Sequence, residues 1–447
     1  MRINGIGKTD ETLTGRGGLL FFVRYLTNIG IFRLLTEHFG DLRKSRKGLP
    51  VADLFKQIFC FFCDGTSRHL TYFDELAGDA GYAGTIEQSP ETMASSHAIK
   101  RFFRSFSIFK VWVFRKILRK LFIWRLRIAK PDVIRIDIDT MVMNNNDADA
   151  RQGVGPTYKK IRGFQPFQVT WGRFVIDAVF RGGICHSNHG ETVARTVTIL
   201  VNLIRREYRD DAVILLTCDC GFFDQKLFNT FEKLGIYYVS AARMTEDAKT
   251  LISSLPETDF RELRKEEQTW QFAEFGFCCD AWDTFRRFIF CRPLYENEQM
   301  LLTFERPDTL LVTNLRPDTP AESAPDEIRH LTIISAYHMR GASELIFRAL
   351  EDFGTEQMPF KRFVPNAAFY YMMLIAFFLF ETFKEDALSP IIPLQSYAGT
   401  VRRLFTDIAG KIVSHSGRVI LKFTTAVFRR LQLEKVWEAC HSPPSLF

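Results

Sequence analysis

The sequence lacks both an N-terminal signal sequence and a long apolar run. Residues 1–18 are polar and glycine-rich, without the apolar segment of a secretory leader. The longest apolar run, Ala367 to Phe380, is shorter than the roughly 20 residues that a membrane-spanning helix needs. We therefore expect this run to form a buried helix, and we expect a cytoplasmic protein without a membrane partner.

Paired metal-binding cysteines are also missing. The chain has nine cysteines and no secretory signal, which predicts reduced thiols. Cys60 and Cys63 have the spacing of half a zinc site, but they lie in an apolar stretch. Because no second Cys or His pair follows at the spacing of a zinc finger, a structural zinc ion is disfavoured.

Acidic residues are absent between Lys100 and Lys130, where eleven Lys or Arg residues occur. Such a block favours an anionic partner, either nucleic acid or a membrane surface. Aromatic residues alternate with the basic ones from Phe106 to Trp124, which predicts an amphipathic helix whose cations contact phosphates. A merely solvated basic face is the alternative, and a membrane-surface helix is the least favoured option. The candidate DNA contacts are Arg115, Lys116, Arg119 and Lys120.

The hydrophobic periodicity changes from helical to strand-like after Pro131. Three predicted strands are followed by helix, strand, helix and strand, an order typical of an α/β sheet of the ribonuclease H-like (retroviral-integrase-like) type. The sequence thus predicts a helical N-terminal DNA-binding region (1–130), the first part of this core (131–245), a β-rich insertion (246–330), and a final catalytic helix with a helical C-terminal region (331–447).

Carboxylates occur at strand positions where only a functional role would favour them. Asp137 and Asp139 alternate on one predicted strand, so both point to the same face. Asp219 directly follows a short apolar strand, and ligands gather beyond the carboxyl ends of such strands. Taken alone, each Asp could equally be a strand-end or turn residue.

A third group of residues occurs at helical spacing. Tyr337, Arg340 and Glu344 stand at positions i, i+3 and i+7, so one helix would carry all three on one face. An exposed helix face with an Arg–Glu ion pair is the simpler explanation of this pattern alone.

Together, these motifs resemble the DDE transposases of bacterial insertion sequences. The family's helix signature is Tyr-x2-Arg-x3-Glu, and the subgroup that the chain resembles has first and second motifs that match Asp137-Ile138-Asp139-Thr140 and Asp219-Cys220-Gly221-Phe222-Phe223. The order of motifs is also that of the family, from about Gly18 to the C-terminus. Further matches are Tyr158-Lys159-Lys160, Gly163-Phe164-Gln165-Pro166, Arg181-Gly182-Gly183, His186-Ser187 and Thr313-Asn314-Leu315.

The chain departs from the signature at one position. Glu351 stands where the family has a Lys that holds DNA near the cut. Arg348 or Lys361 could take that role, judged from proximity in sequence alone.

The resemblance implies an enzyme that cuts and joins DNA with two Mg²⁺ ions, for which Mn²⁺ can substitute. Asp139, Asp219 and Glu344 would hold the ions, with Asp137 as the alternative to Asp139, while Tyr337 and Arg340 would hold phosphates. The implied partners are double-stranded DNA, as inverted repeats and target, and a second copy of the chain in a synaptic homodimer. The setting is a bacterial cytoplasm, at the nucleoid when DNA is bound. The alternatives are a nuclease that cuts without joining and a DNA-binding derivative with an inactive centre.

Overall fold

The computed structural model describes residues 2–42, 48–265, 268–280, 282–296, 299–300, 308–315, 333–334, 337 and 341–447. The chain divides into two compact units. The helical unit consists of Met1–Leu118, Asn144–Gly153 and Phe347–Phe447, and the sheet unit consists of Arg119–Met143 and Val154–Ile346. Each unit is therefore assembled from segments that are distant in sequence, and the four segments anticipated from the sequence stay a prediction.

The helices alternate between the two units along the chain. Their bounds are α1 (Leu19–Ile29), α2 (Ile31–Phe39), α3 (Val51–Asp64), α4 (Tyr72–Ala77), α5 (Ala80–Thr85), α6 (Ser96–Arg104), α7 (Ile108–Ala129), α8 (Thr192–Glu207), α9 (Gln225–Lys233), α10 (Glu246–Ser254), α11 (Gly341–Phe353), α12 (Phe363–Phe383), α13 (Ala398–Val401), α14 (Thr425–Arg430) and α15 (Leu433–His441).

The segment from Leu19 to Phe39 has apolar residues at helical spacing throughout, yet it forms two helices rather than one. Gly30 separates α1 from α2 and adopts a left-handed conformation, with φ 87°. Its backbone N–H donates to the carbonyl oxygens of Leu26 and Thr27, which otherwise would lack partners at the end of α1. Glycine caps helices in this way because a Cβ atom disfavours positive φ.

The apolar helix α12 lies in the interior of the helical unit. All residues from Pro365 to Phe383 are buried, so the predicted buried helix is confirmed. With the turn that follows it, the segment Phe363–Leu388 is long and apolar enough to cross a membrane by length and composition, yet 89% of its most apolar window is buried inside the protein. Among the described residues no other single helix passes this test, although the bent pair α1 and α2 passes if it is counted as one span.

Most strands belong to one large sheet in the sheet unit. The strands of the molecule are β1 (Leu13–Thr14), β2 (Val133–Thr140), β3 (Met143–Asn144), β4 (Gly155–Pro156), β5 (Arg162–Phe164), β6 (Phe167–Trp171), β7 (Phe174–Val179), β8 (Val213–Cys218), β9 (Tyr237–Ala241), β10 (Arg261–Lys265), β11 (Gln268–Phe277), β12 (Arg286–Glu296), β13 (Gln299–Met300), β14 (Thr309–Thr313), β15 (Gly410–His415) and β16 (Arg418–Lys422).

The large sheet has the order β10-β11-β12-β14-β9-β8-β2-β6-β7, and β13 pairs with β12. Strands β2, β6 and β7 pair antiparallel, whereas β8 and β9 run parallel to β2. The predicted β-rich segment adds β14, β12, β11 and β10 to the edge at β9, all antiparallel. Its apolar side chains form a core with those of the central strands, including Leu215, Val239 and Ile289. The mixed α/β architecture predicted from the sequence is therefore confirmed.

The C-terminal region is not wholly helical, and this part of the prediction was wrong. β15 and β16 form a hairpin, and β15 also pairs with β1 from the N-terminal end. The turn of the hairpin holds Ser416 and Gly417 at positive φ, 50° and 76°. Two residues in this conformation match the right-handed twist of the flanking strands, so the local sequence overrides the helical pattern on either side.

Candidate active site

Two of the three predicted carboxylates are brought together by strand register. In the parallel pair β2 and β8, the last paired residues are Ile138 and Cys218, so Asp139 is the next residue of β2 and Asp219 directly follows β8. Asp219 keeps an extended backbone, with φ −87° and ψ 178°. Since level residues of adjacent parallel strands point to the same face, we expect the two carboxylates to be neighbours, with strands about 4.8 Å apart.

Asp137 shares the face of Asp139 but not its position at the end of the strand. Asp137 and Asp139 are half-buried, while Ile136 and Ile138, which alternate with them along β2, are buried on the other face. Asp137 lies level with Thr217, one residue pair before the end of β8. The register thus distinguishes Asp139, the residue preferred from the sequence, from its alternative Asp137 by their distance from the end of β8.

Backbone groups orient both carboxylates. The N–H of Thr140 donates to Oδ1 of Asp139 at 2.7 Å, and the N–H of Gly221 donates to Oδ1 of Asp219 at 2.9 Å. The hydroxyl of Ser240 on β9 donates to the carbonyl oxygen of Asp219 at 3.4 Å. These bonds restrict the direction of each side chain, which is what a preorganised ligand requires.

Arg181 forms hydrogen bonds to several chain segments near the end of β2. The sequence identified Arg181-Gly182-Gly183 as a match to the family but did not predict this role for Arg181. Its guanidinium donates to the Thr140 hydroxyl at 3.4 Å, to the Ser187 carbonyl at 3.2 Å and to the Gln165 carbonyl at 3.2 Å. Arg181 is buried, with its guanidinium over the ring of Phe167. Motif residues that are far apart in sequence thus meet at one buried cation.

Two glycines allow the close backbone approaches at this edge. A Cβ atom on Gly221 would lie 2.8 Å from the Ser187 hydroxyl oxygen. A Cβ atom on Gly183 would lie 2.3 and 2.4 Å from the carbonyl oxygens of Gly163 and Gly155. Backbone carbonyls cannot yield as a flexible side chain can, so Gly183 is a packing requirement of this loop.

The helix signature is only partly described. Glu344 falls within α11, but its side chain lies outside the described residues, and Arg340 lies outside them altogether. Tyr337 is half-buried and packs against the apolar core of the sheet unit. Trp270, on β11, is buried in that same core.

No three His, Cys, Asp or Glu side chains in the described part of the chain are placed to hold a metal ion. Cys60 and Cys63 are buried free thiols, and burial raises the pKa of Cys63 to about 12. Within the described residues, Asp139 and Asp219 are thus a pair of carboxylates without a third His, Cys, Asp or Glu placed to complete a metal site.

The predicted DNA contacts on α7 occupy different environments. Lys116 is exposed and Lys120 is half-buried, but Arg115 is buried with its guanidinium over the Trp112 ring. Arg119 forms an ion pair with the fully buried Asp177, at 2.6 Å from Nη2. Phe109 and Trp112, by contrast, are exposed. The expected separation into an aromatic inner face and a basic outer face therefore holds only in part. Phe114, Phe122 and Trp124 are buried as expected, but the long Arg stems are also buried on this helix.

The position of the missing signature Lys lies in the helical unit. Glu351 is half-buried near the end of α11, whereas Arg348 and Lys361 are exposed. Both suggested substitutes are therefore accessible to a ligand.

Comparison with known proteins agrees with the motifs. A family model described as transposase DDE domain, group 1, matches residues 5–442. No curated protein matches the chain. Among solved structures, a cryo-EM structure of the piggyBac transposase synaptic complex with hairpin DNA is 13% identical, with a TM-score of 0.44, and the match covers 98% of this chain and 88% of that one. The assignment of the chain to a family rests on the family model alone.

Proposed function

We propose that this chain, which belongs to the group 1 DDE transposases, catalyses metal-dependent cleavage and strand transfer at the inverted ends of a bacterial insertion sequence. The observation that carries the proposal is the register of β2 and β8, which places Asp139, one residue before the end of β2, level with Asp219, the residue that directly follows β8. Such an edge is where ligands of open α/β sheets collect.

The strand order supports a ribonuclease H-like core. Three antiparallel strands, β2, β6 and β7, are extended on the other side of β2 by the parallel strands β8 and β9. This is the arrangement anticipated from the order of strands and helices in the sequence. We propose that β10 to β14 are an insertion into this core that enlarges its sheet.

The donor set suits a hard divalent cation. Asp139 and Asp219 offer carboxylate oxygens, which are preferred by Mg²⁺ and Mn²⁺. Glu344, on α11, would supply the third carboxylate. When bound, a pair of such ions stabilises the charge that develops on the attacking and leaving oxygens of the phosphodiester.

The protein's own contribution is to orient these ligands and the DNA. The N–H groups of Thr140 and Gly221 hold one oxygen of each Asp. The buried positive charge of Arg181, bonded to Thr140, lowers the electrostatic cost of placing two carboxylates at one edge. Tyr337 and Arg340 would contact phosphates at the end of the element, where the planar fork of Arg suits phosphate oxygens.

A variant of the third carboxylate tests the proposal. Glu344→Gln is expected to abolish Mg²⁺-dependent cleavage of a duplex that carries the inverted repeats flanking the gene. DNA binding should survive, because only a metal ligand is altered. Cleavage by this variant at the wild-type rate would show that Glu344 is not the third ligand.

Glu351 is the observation that favours a second candidate, a DNA-binding derivative with an inactive centre, because the family's Lys is absent there. A pre-cut end with a free 3′-hydroxyl separates the possibilities. A transposase joins this end to target DNA, a nuclease cuts intact ends without joining them, and an inactive derivative binds without doing either. We propose that the active species is a homodimer on DNA in the bacterial cytoplasm, associated with the nucleoid.

A further inference from the structure

The helical unit contains a cleft of about 1450 Å³ whose lining is strongly basic. Five separate chain segments form its walls: residues 68–71 after α3, the end of α6, the start of α7, residues 144–152 and residues 355–365. All of them belong to the helical unit. The cations that line this basic cleft are Arg68, Lys100, Arg104, Arg151, Lys361 and Arg362.

The positive charge of the basic cleft is only partly balanced by carboxylates. Hydrogen bonds from Ser96 and, to a lesser extent, the charge of Lys100 lower the pKa of Asp74. Glu356 is the single carboxylate residue among those that line it. Within the described part of the chain, no carboxylate oxygen lies within the 4.0 Å ion-pair distance of any of the six cations. Elsewhere in the same unit cations are paired, as Arg33 is with Glu37 and Lys384 with Glu381. The accumulation of unpaired cations therefore favours an anionic ligand.

Arg151 shows most clearly that the basic cleft is built rather than accidental. It is half-buried, and burial lowers the pKa of its guanidinium. Nη1 of Arg151 donates to Oδ1 of Asn145 at 3.1 Å, and Asn145 is itself fully buried. Asn145 also binds the backbone of Glu356 and Met358, at 3.0 Å each. A neutral amide thus positions a half-buried cation at the cleft with no carboxylate within ion-pair distance, and an anion that binds there would offset the partial desolvation of this cation.

Hydrogen bonds also fix the segment that carries Lys361 and Arg362. The N–H of Gln152 donates to the Lys361 carbonyl at 2.8 Å, and the Gln152 side chain accepts from the N–H of Phe363 at 3.1 Å. Buried Asn366 binds both the N–H and the carbonyl of Phe360. The two exposed cations are therefore displayed from a rigid backbone, so less entropy is lost when they bind a ligand.

We infer that the basic cleft binds the phosphate backbone of duplex DNA. Guanidinium and ammonium groups are the side chains that contact backbone phosphates, and they carry no sequence preference by such contacts. Single-stranded DNA would need exposed aromatic rings for stacking, but the lining aromatics Phe106 and Phe360 are both buried. The inference rests on the proposed function for the origin of this DNA, and it assigns the helical unit a binding site separate from the carboxylates.

Charge removal with a matched control tests this inference. The double variant Lys361→Gln/Arg362→Gln removes two exposed cations from the basic cleft, and Arg429→Gln/Arg430→Gln removes two exposed cations elsewhere in the helical unit. Binding of each protein to a short blunt duplex of arbitrary sequence is followed by fluorescence anisotropy at several salt concentrations in EDTA. Because each phosphate contact contributes a slope of about 0.9, the slope of log K against log salt should become shallower by about two in the cleft variant, with affinity about tenfold lower at 0.1 M salt.

The control variant should keep both the slope and the affinity of the wild type, and thermal melting should show that both variants fold. Equal behaviour of the two variants would overturn the inference. So would a loss confined to single-stranded DNA, or a loss confined to poly-glutamate, which would indicate an acidic protein partner. Since EDTA removes divalent ions, this result does not depend on the carboxylates. Failure of Glu344→Gln to abolish cleavage would refute the proposed metal site and leave the cleft measurement unaffected.

Discussion

The two units place charges of opposite sign and hold them by different means. In the sheet unit, Asp139 and Asp219 stand at the ends of parallel strands, where backbone N–H groups orient them. In the helical unit, cations from four segments line the basic cleft, and buried amides of Asn145 and Asn366 fix two of the loops that carry them. If both proposals hold, chemistry and DNA retention are expected to be impaired by different variants.

Packing and charge pairing can be tested separately in the interiors of the units. The helical unit packs phenylalanine rings against one another, as Phe103 does with Phe360 and Phe369 at centroid distances of 5.5 Å. The sheet unit contains an ion pair between Arg119 and Asp177 in which the carboxylate is fully buried. The helical unit also buries an ion pair, between Lys384 and Glu381, so each contact is compared below with an exposed control residue.

The largest expected effect is on chemistry in the sheet unit. Asp219→Asn keeps the Oδ1 atom that accepts from Gly221, so the loop should stay intact. Loss of a negative ligand should lower the rate of metal-dependent cleavage by at least about 10⁴-fold. DNA affinity, measured in EDTA, should equal that of the wild type. A comparable loss of affinity would mean that the two units do not divide the work as proposed.

The next effect concerns the aromatic core of the helical unit. Phe103 is fully buried, and Phe103→Ala should lower the free energy of unfolding by about 3–5 kcal/mol. Phe109, which is 83% exposed, provides the control, since Phe109→Ala should change the free energy of unfolding by less than about 0.5 kcal/mol. Urea unfolding measures both. Similar values for the two variants would contradict the packing described for this unit.

A smaller effect is expected from the buried ion pair of the sheet unit. Arg119→Ala leaves the fully buried carboxylate of Asp177 without this partner, at a cost of about 3 kcal/mol in unfolding free energy. Lys116→Ala, at an exposed position of the same helix, should be nearly neutral in the same urea experiment. Equal stability of the two variants would show that Arg119 is available for DNA, the role predicted for it from the sequence.

Structural features that depend on residues close together in the sequence could be predicted from local sequence patterns. Strand alternation located β2, and the position of Asp219 after an apolar strand indicated a site at the carboxyl end of the sheet. The hairpin of β15 and β16 was missed although its signal was present: Ser416 and Gly417 stand between two short runs that are rich in Ile and Val. There the helical pattern of the flanking segments outweighed a turn signal that is stronger over short range.

Features made by distant segments could not be predicted in this way. The basic cleft joins Arg68 to Arg362 through folding alone, and no spacing in the sequence relates them. Arg115 and Arg119 belong to a basic block that predicts exposure, yet one packs over Trp112 and the other pairs with Asp177. Burial of a cation depends on what the rest of the chain brings to it, and a charge pattern does not contain this information.

The smallest expected effect tests the position of the metal ligand within one strand. Asp137 lies level with Thr217, two residue pairs before the level of Asp139 and Asp219. Asp137→Asn should therefore lower cleavage by about 10- to 100-fold, as changes next to a metal ligand do, whereas Asp139→Asn should match Asp219→Asn. Both variants keep the length and shape of the side chain, so steric effects are equal. The reverse order of activities would assign the ligand to Asp137 and would require β2 and β8 to pair in a different register from the one described.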